Sequence, residues 1–206
     1  MGKDVSGTCA IIIFLRKMEL GKVKTRLAAS TGAELALSIY KFLLLHTLTI
    51  SRSLNVRKIL FYHPEIEIHQ GFEGDDFEYH IQSGQDLGER MINALRYAVK
   101  HFQKVVMIGT DCPYLKTTDL EDAFQSLEEH DVVVGPSTDG GYYLIGVKAL
   151  NENLFKGVEW STEQVLADTL EKVRDASLSV AQLRMLSDID YEKDWLVYQE
   201  FVNKGI

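Results

Sequence analysis

The sequence predicts an α/β fold in which helices cover both faces of a mixed, mainly parallel sheet. Short apolar runs alternate along the chain with amphipathic helical segments, which is the pattern of parallel strands joined by crossover helices. The first of these runs, 9–15, is apolar throughout, as expected for a strand covered on both faces. Five turn-forming residues separate the runs 131–136 and 142–147, which predicts an antiparallel hairpin in the same sheet.

The elements of the first half follow from apolar runs and one capping pattern. The run 9–15 predicts the first strand, because polar residues bound it on both sides. Residues 31–34 form a capping box, and apolar residues then recur at helical spacing as far as Ile50, which predicts a long helix. The runs 56–62 and 77–82 predict the second and third strands.

The second half continues the same alternation. Acidic residues in the first turn predict a helix over 86–102, and two capping boxes predict helices over 118–129 and 161–173. Further apolar runs predict strands, and a last amphipathic segment predicts a terminal helix; the strands are 104–109, 131–136, 142–147 and 177–180, and the helix is 191–202.

Composition limits the classes of partner. The chain has 206 residues and a formal net charge of -8, so we expect neither nucleic-acid binding nor attraction to an anionic membrane surface. No linker or repeat divides it, which predicts a single domain over 1–206. The polar start, 1–8, is not a signal peptide, and the longest uninterrupted apolar runs are too short to span a bilayer. Two cysteines without metal-type spacing favour a reducing, cytoplasmic location.

A concentration of positive charge follows the first strand. Five of the eleven residues in 16–26 are basic, which in an acidic protein indicates a local anionic ligand such as a phosphate group. Gly21 permits a tight turn and a close approach of the backbone to a ligand. Lys22, Lys24 and Arg26 supply cationic donors. The alternative from charge alone is a solvated basic loop.

Acidic residues follow other strands. Asp111 lies where the strand 104–109 ends, and a carboxylate at that edge of a parallel sheet is a suitable ligand for Mg²⁺ or Mn²⁺. Asp188 and Asp190, two residues apart in an extended segment, point to the same side and are candidates to complete the site. The alternatives are that Asp111 caps a turn and that Asp188 or Asp190 caps the last helix.

Two other segments contain groups suited to substrate binding. The segment 82–90 has two glutamines and two glycines that suit the flat face and edge of a nucleobase, although an ordinary strand-to-helix turn explains it equally. Asp139 lies at the hairpin tip before two glycines, where a purely conformational turn is the alternative. Residues 160–162 begin a helix whose free amides and hydroxyls suit an anionic or sugar-hydroxyl group, or merely cap it.

Six motifs, taken together and in this order, resemble the bacterial DUF2064 family, also called selenodomain-associated transferase 1 or glycosyltransferase-like. They are GKVKTRL at 21–27, DLGERM at 86–91, GTDCP at 109–113, GPSTDGGYYLIG at 135–146, WST at 160–162 and DID at 188–190. The resemblance implies a three-layer, Rossmann-like GT-A fold, that of nucleotide-diphospho-sugar transferases. It departs from the family at 18–20, where a proline-containing turn is usual, and at Pro113, which removes the Asp-x-Asp pair of many glycosyltransferases.

The resemblance also implies roles for individual residues. The catalytic group is Lys24, Arg26, Asp111 and Asp139, and the nucleotide-binding group is Leu15, Gly21, Lys22, Gln82, Gly84, Leu87, Gly88 and Arg90. The acceptor side is Gly140, Gly141, Trp160, Ser161 and Thr162, and the metal ligands are Asp111 with Asp188 or Asp190, holding Mg²⁺ or Mn²⁺.

These observations predict a metal-dependent transferase that binds a nucleotide or nucleotide-sugar and an acceptor that the sequence does not identify. Glycosyl transfer is placed slightly ahead of nucleotidyl transfer, and a nucleotide-binding module without turnover is the alternative from another class. The leucines of 43–45 indicate either core or an oligomer face, so a homo-oligomer is among the expected states. The prediction depends on Lys24 and Arg26 facing Asp111 across one crevice.

Overall fold

Seven strands form one sheet in a computed structural model that describes residues 7–68 and 77–204. The strand order is β3-β2-β1-β4-β6-β5-β7. Strand β6 runs antiparallel to both of its neighbours, β4 and β5, and the other pairs are parallel. The strands are β1 Cys9–Arg16, β2 Arg57–His63, β3 Phe77–Ile81, β4 Lys104–Ile108, β5 Val132–Pro136, β6 Tyr142–Val147 and β7 Val180–Gln182.

Helices lie on both faces of this sheet, because the side chains of each strand alternate between two apolar layers. Ile11 and Ile13 of β1 belong to the core cluster that contains residues of α2 and α4. Ala10 and Ile12 belong to the cluster that contains residues of α3 and α5. The helices are α1 Thr25–Thr31, α2 Ala33–Arg52, α3 Leu87–Ala98, α4 Thr117–Glu129, α5 Val165–Asp175 and α6 Glu192–Asn203, with a short 3₁₀ helix at Glu152–Leu154. The predicted three-layer α/β/α fold and its antiparallel hairpin are confirmed.

Three predicted helix starts were wrong, two because a polar side chain has a different partner and one because of the backbone conformation. Thr31 does not cap the long helix; its hydroxyl donates to the Leu27 carbonyl and closes the short, unpredicted helix α1. Helix α4 begins at Thr117, where the Asp119 carboxylate accepts from the Lys116 amide. Ser161 has a positive φ of 68°, and helix α5 begins only at Val165.

The last strand was also misplaced. The prediction put it at 177–180, whereas β7 is Val180–Gln182. Ser177 has a φ of 54°, in the left-handed region, and belongs to the turn that follows α5. The strand therefore begins only after this turn.

Helix α2 is the exception to the expectation that no segment could cross a membrane. Among the described residues it alone is long and apolar enough to pass a test of length and composition. Sequence reasoning missed it because Lys41 and other polar residues interrupt its apolar residues. Its Leu44 and Leu48 are buried in the core beneath the sheet, and a core helix of a soluble protein passes the same test.

Candidate functional site

A cavity of about 580 Å³ lies at the carboxyl ends of β1, β2 and β4, where ligands bind in open α/β sheets. Most of the predicted site residues line it. They are Leu15, Lys24, Arg26, Gln82, Leu87, Arg90, Asp111, Asp139, Gly141, Trp160, Ser161, Thr162, Asp188 and Asp190. Segments distant in sequence therefore contribute to one wall.

Lys24 is in direct contact with the carboxylates rather than across a crevice from them. Its ammonium lies 2.8 Å from Asp111 Oδ1 and 3.2 Å from Asp190 Oδ1, and it donates to the Ile189 carbonyl at 2.5 Å. The Lys24 side chain is only 6% exposed. The prediction that a crevice separates this cation from Asp111 is therefore wrong. Lys24 directly precedes α1 with a left-handed backbone (φ 46°, ψ 47°), and its side chain is buried against the carboxylates rather than solvated.

The carboxylates keep Lys24 charged. Burial alone lowers the pKa of an ammonium, but the negative charges of Asp111 and Asp190 outweigh burial and raise the pKa of Lys24 above its ordinary value. Arg26 lies 3.6 Å from the other oxygen of Asp190 and 5.9 Å from the centre of the Tyr191 ring. Asp190 is thus shared by two cations.

Asp188 forms no ion pair with any cation of the described residues, 7–68 and 77–204. It accepts a hydrogen bond from the Ser137 hydroxyl at 3.0 Å. Burial, and next the nearby charge of Asp111, raise the pKa of Asp188 to about 7, against the weaker opposing effect of Lys24. Asp139 adds further negative charge. Around Lys24 and Arg26 the cavity is therefore lined by four carboxylates and two cations, and a further cation placed beside Asp111 and Asp188 would relieve their repulsion.

The position of Asp188 and Asp190 depends on contacts that no local pattern predicts. The chain after β7 is hydrogen-bonded to the hairpin, since the Leu186 amide donates to the Pro136 carbonyl, and the Ile189 amide donates to the Asp111 carbonyl. The alternative that Asp188 or Asp190 caps the last helix is wrong. The Asp194 carboxylate accepts the amides at that end instead.

The carboxylates predicted as metal ligands already have partners within the protein. Within residues 7–68 and 77–204, no group of three or more His, Cys, Asp or Glu side chains is arranged to hold an ion. Asp111 is already paired with Lys24, and its charge is one cause of the raised pKa of Asp188. Magnesium is commonly held by one or two carboxylates together with substrate phosphates, so Asp111 and Asp188 fit such an ion, and Asp190 as the alternative ligand stays a prediction.

A second group of basic residues on the cavity wall was not selected from the sequence as a group. Arg16 and His63 end β1 and β2 and are register partners across these strands. Arg90 of α3 lies on the same wall. Burial, then the charges of Arg90 and Arg16, lower the pKa of His63, so the three side chains are close. Both Arg16 and His63 directly follow an apolar run, and that position is the signal that could have identified them.

The residues predicted to bind the nucleotide fall into two groups, those that line the cavity and those that lie behind its wall. Gln82 donates through its amide nitrogen to the carbonyls of Leu15 and Phe61, at 3.3 and 2.9 Å, so that nitrogen ties the ends of β1 and β2 together. Gly84 has a φ of 136°, and a Cβ there would lie 2.7 Å from the Glu89 Cβ. A Cβ on Gly88 would lie 2.8 Å from Trp160 Nε1. These two glycines allow close packing and do not line the cavity.

Three more predicted residues lie off the cavity wall. Gly21 and Lys22 belong to a turn in which the Lys22 amide donates to the Glu19 carbonyl. Gly140 packs on the backbone of Glu163, where a Cβ would lie 2.2 Å from the carbonyl oxygen. Their roles in binding stay predictions, and the structure gives each a conformational reason.

The acceptor-side residues form the other end of the wall. Trp160 meets the Tyr142 ring edge-on at 6.4 Å. Asp139 accepts from the Gly141 amide at 3.0 Å, as the turn alternative requires, and also lines the cavity. The Cys112 thiol is buried, which raises its pKa and makes it a poor nucleophile. This end combines an aromatic wall with a carboxylate.

Comparison with known proteins identifies the family. The model of the bacterial family described as "uncharacterized protein conserved in bacteria (DUF2064)" matches residues 47–162. The chain belongs to the DUF2064 family. A solved structure from Desulfovibrio desulfuricans G20, described as a "putative nucleotide-diphospho-sugar transferase", is 32% identical with a TM-score of 0.82, over 89% of this chain and 82% of that chain. A comparison with curated proteins finds no match.

More distant structures share the fold of this DUF2064 member. CMP:2-keto-3-deoxy-manno-octonic acid synthetase complexed with CTP is 11% identical with a TM-score of 0.59, over 97% of this chain and 100% of that chain. Rv0371c from Mycobacterium tuberculosis H37Rv, in complex with manganese, is 13% identical with a TM-score of 0.56, over 92% and 96%. The prediction of a nucleotide-diphospho-sugar transferase fold is confirmed, and the prediction of a transferase agrees with the description of the 32% identical structure.

Proposed function

We propose that this protein is a divalent-cation-dependent transferase that acts on a nucleotide bound in the cavity. The observation that supports it is the grouping of Asp111 and Asp188 with Lys24 and Arg26 on one wall. Nucleotide phosphates bring several negative charges to a wall that is itself rich in carboxylates. Beside Asp111 and Asp188 these phosphates would be accepted only through a bridging cation together with Lys24 and Arg26.

Asp111 and Asp188 would hold the cation, Mg²⁺ or Mn²⁺. Such an ion would bind oxygens of the nucleotide and stabilise negative charge on the leaving group. Lys24 is held in place by Asp111 and the Ile189 carbonyl, so its charge is oriented before substrate arrives. Preorganised charges of this kind stabilise a transition state without reorganisation during the reaction. Arg26, which is half exposed, supplies a second donor to the phosphates.

Glycosyl transfer is the first candidate reaction. Trp160 and Tyr142 present an aromatic wall, next to the carboxylate of Asp139 and the hydroxyl of Thr162. Sugars suit a site of this kind, since their apolar faces contact rings while their hydroxyls bond to polar groups. In this reaction the oxygen of an acceptor hydroxyl bonds to the sugar carbon and its proton is released to solvent. The bond from the sugar carbon to the phosphate oxygen breaks, and the nucleoside diphosphate leaves with its electrons.

Nucleotidyl transfer is the second candidate, and Arg16, His63 and Arg90 favour it. A phosphorylated second substrate needs cations beyond those that hold the nucleotide. In this reaction a phosphate oxygen of that substrate bonds to the α-phosphorus of a nucleoside triphosphate. The bond from the α-phosphorus to the bridging oxygen breaks, and pyrophosphate leaves. The CTP-bound CMP:2-keto-3-deoxy-manno-octonic acid synthetase shares the fold.

A screen of nucleotides tests the proposal. Nucleoside triphosphates and nucleotide-sugars are compared as stabilisers against heat, each with Mg²⁺, with Mn²⁺ and with a chelator. A true ligand at a hundredfold excess over Kd should add about 2.7 kcal/mol, and only with the cation. Preference for a nucleotide-sugar supports glycosyl transfer, and preference for a triphosphate supports nucleotidyl transfer. Equal binding with and without cation would favour a binding module and overturn the proposal.

A further inference from the structure

Three basic side chains line the cavity at the ends of β1 and β2. Arg16 and His63 are register partners on adjacent parallel strands, whose spacing is about 5 Å. Arg90 reaches the same wall from the second turn of α3, where its Nε donates to the Gly84 carbonyl at 3.2 Å. The backbone of Arg16 is fixed by the Tyr40 hydroxyl, which accepts from the Arg16 amide and donates to the Arg16 carbonyl. The positions of these groups are therefore determined by the fold.

Within the described ranges, 7–68 and 77–204, neither Arg16 nor Arg90 forms an ion pair with a carboxylate. The described acidic residues that follow His63 after β2 have other partners. Glu65 is paired with Lys17, and Glu67 accepts the Met18 amide at 2.8 Å. Lys24 and Arg26, by contrast, are paired with Asp111 and Asp190. The two ends of the cavity thus differ in sign.

We propose that Arg16, His63 and Arg90 form a second anion subsite, which takes a phosphate group of a substrate. Arginine binds phosphate through two parallel hydrogen bonds, and a neutral or charged imidazole donates one more. Arg16 lies one strand spacing from the strand that leads to Asp111, and His63 lies two, roughly 5 and 10 Å at the level of the backbone. The subsite is distinguished from the group around Lys24 by its lack of paired carboxylates rather than by a long distance.

This proposal rests on the proposed function, in which the cavity is the substrate site. It adds that one of the groups bound there is a phosphate. Two sources can supply the phosphate. One is the far end of a nucleotide's own phosphate chain, and the other is the phosphate of a second, phosphorylated substrate. The second source would mean that the partner substrate reaches this protein already phosphorylated, as the product of a kinase-type or phosphorylase-type reaction.

Titration with inorganic phosphate, followed by calorimetry in a chelator and without nucleotide, tests the subsite. Without a cation the carboxylates near Lys24 disfavour an anion, so the phosphate reports on the second group. Arg16→Gln and Arg90→Gln should each weaken phosphate binding about tenfold, the effect of a charged hydrogen bond. Arg90→Lys should lose less. The exposed Arg174→Gln on α5 is the matched control and should leave the Kd unchanged.

Two further measurements complete the test. The His63 ring resonances should shift on adding phosphate to the wild type but not to Arg16→Gln. Displacement of phosphate by inorganic tripolyphosphate with Mg²⁺ assigns the subsite to a nucleotide's phosphate chain, and simultaneous binding assigns it to a second substrate. Unchanged affinity in both Gln variants would overturn the subsite. Because this assay contains no nucleotide, its failure leaves the transferase proposal standing, and failure of the nucleotide screen leaves the subsite standing.

Discussion

Replacing Asp188 by Asn should remove a pH dependence of stability that the wild type shows without metal. The pKa of this carboxyl is raised from 3.8 to about 7 in the folded protein, so the folded state binds its proton more tightly than the unfolded state. Its contribution to stability is therefore fully present below pH 3.8 and is lost as the pH rises through about 7. Proton linkage converts these two values into about 2–3 kcal/mol more stability at pH 5 than at pH 8.

The assay is urea unfolding at pH 5 and pH 8 in a chelator. The Asn variant can still accept the hydrogen bond of Ser137, so it removes the ionisation and keeps the contact. The difference in unfolding free energy between wild type and variant should change by about 2–3 kcal/mol between the two pH values. Asp122→Asn, an exposed position on α4, should show no such change. A constant difference at both pH values would refute the reasoning.

Two other predictions concern stability. Lys24→Met should lower the unfolding free energy by about 2 kcal/mol at pH 7, less than the loss of a fully buried ion pair, because the partner carboxylates are partly exposed. Lys41→Met, at an exposed position, should change it by under about 0.5 kcal/mol. Equal effects of the two substitutions would contradict a stabilising contact at Lys24. Gly140→Ala should cost about 3 kcal/mol in the same urea assay, because φ is 86° and the new Cβ would lie 2.2 Å from the Glu163 oxygen. Gly157→Ala, with a φ of 66° and open space around it, should cost about 1 kcal/mol. Equal losses in the two variants would show that the close approach of Gly140 to Glu163 is unimportant.

The sheet and its ligand edge could be predicted because the signal is local. Continuous apolar runs such as 9–15 mark strands buried on both faces, and the polar residues after them, Lys24 and Asp111, then lie at the carboxyl edge by topology. The antiparallel hairpin was equally predictable, since turn residues separate two short apolar runs. Element starts were harder, because the Thr31 hydroxyl bonds to the turn before the predicted helix and Ser161 has a left-handed backbone, which neither capping box indicates.

The electrostatics of the site could not be predicted, because they depend on contacts between distant segments. Lys24 and Asp190 are 166 residues apart in the chain, and their contact requires the strand-like docking of 186–189 on the hairpin and on Asp111. The burial that raises the pKa of Asp188 follows from the same docking. His63 was overlooked since a lone histidine at a strand end has no motif, and its meaning comes from the neighbouring Arg16 and Arg90.

Nucleotide affinity in the presence and absence of Mg²⁺ or Mn²⁺, compared between wild type and Asp111→Asn, tests the central claim most directly. The ligand is the best stabiliser from the nucleotide screen, and Asp122→Asn is the matched control. We predict that the cation tightens binding at least tenfold in the wild type and in the control, and that the Asp111→Asn protein stays folded but loses this gain. Full retention of the cation effect in Asp111→Asn would contradict the account.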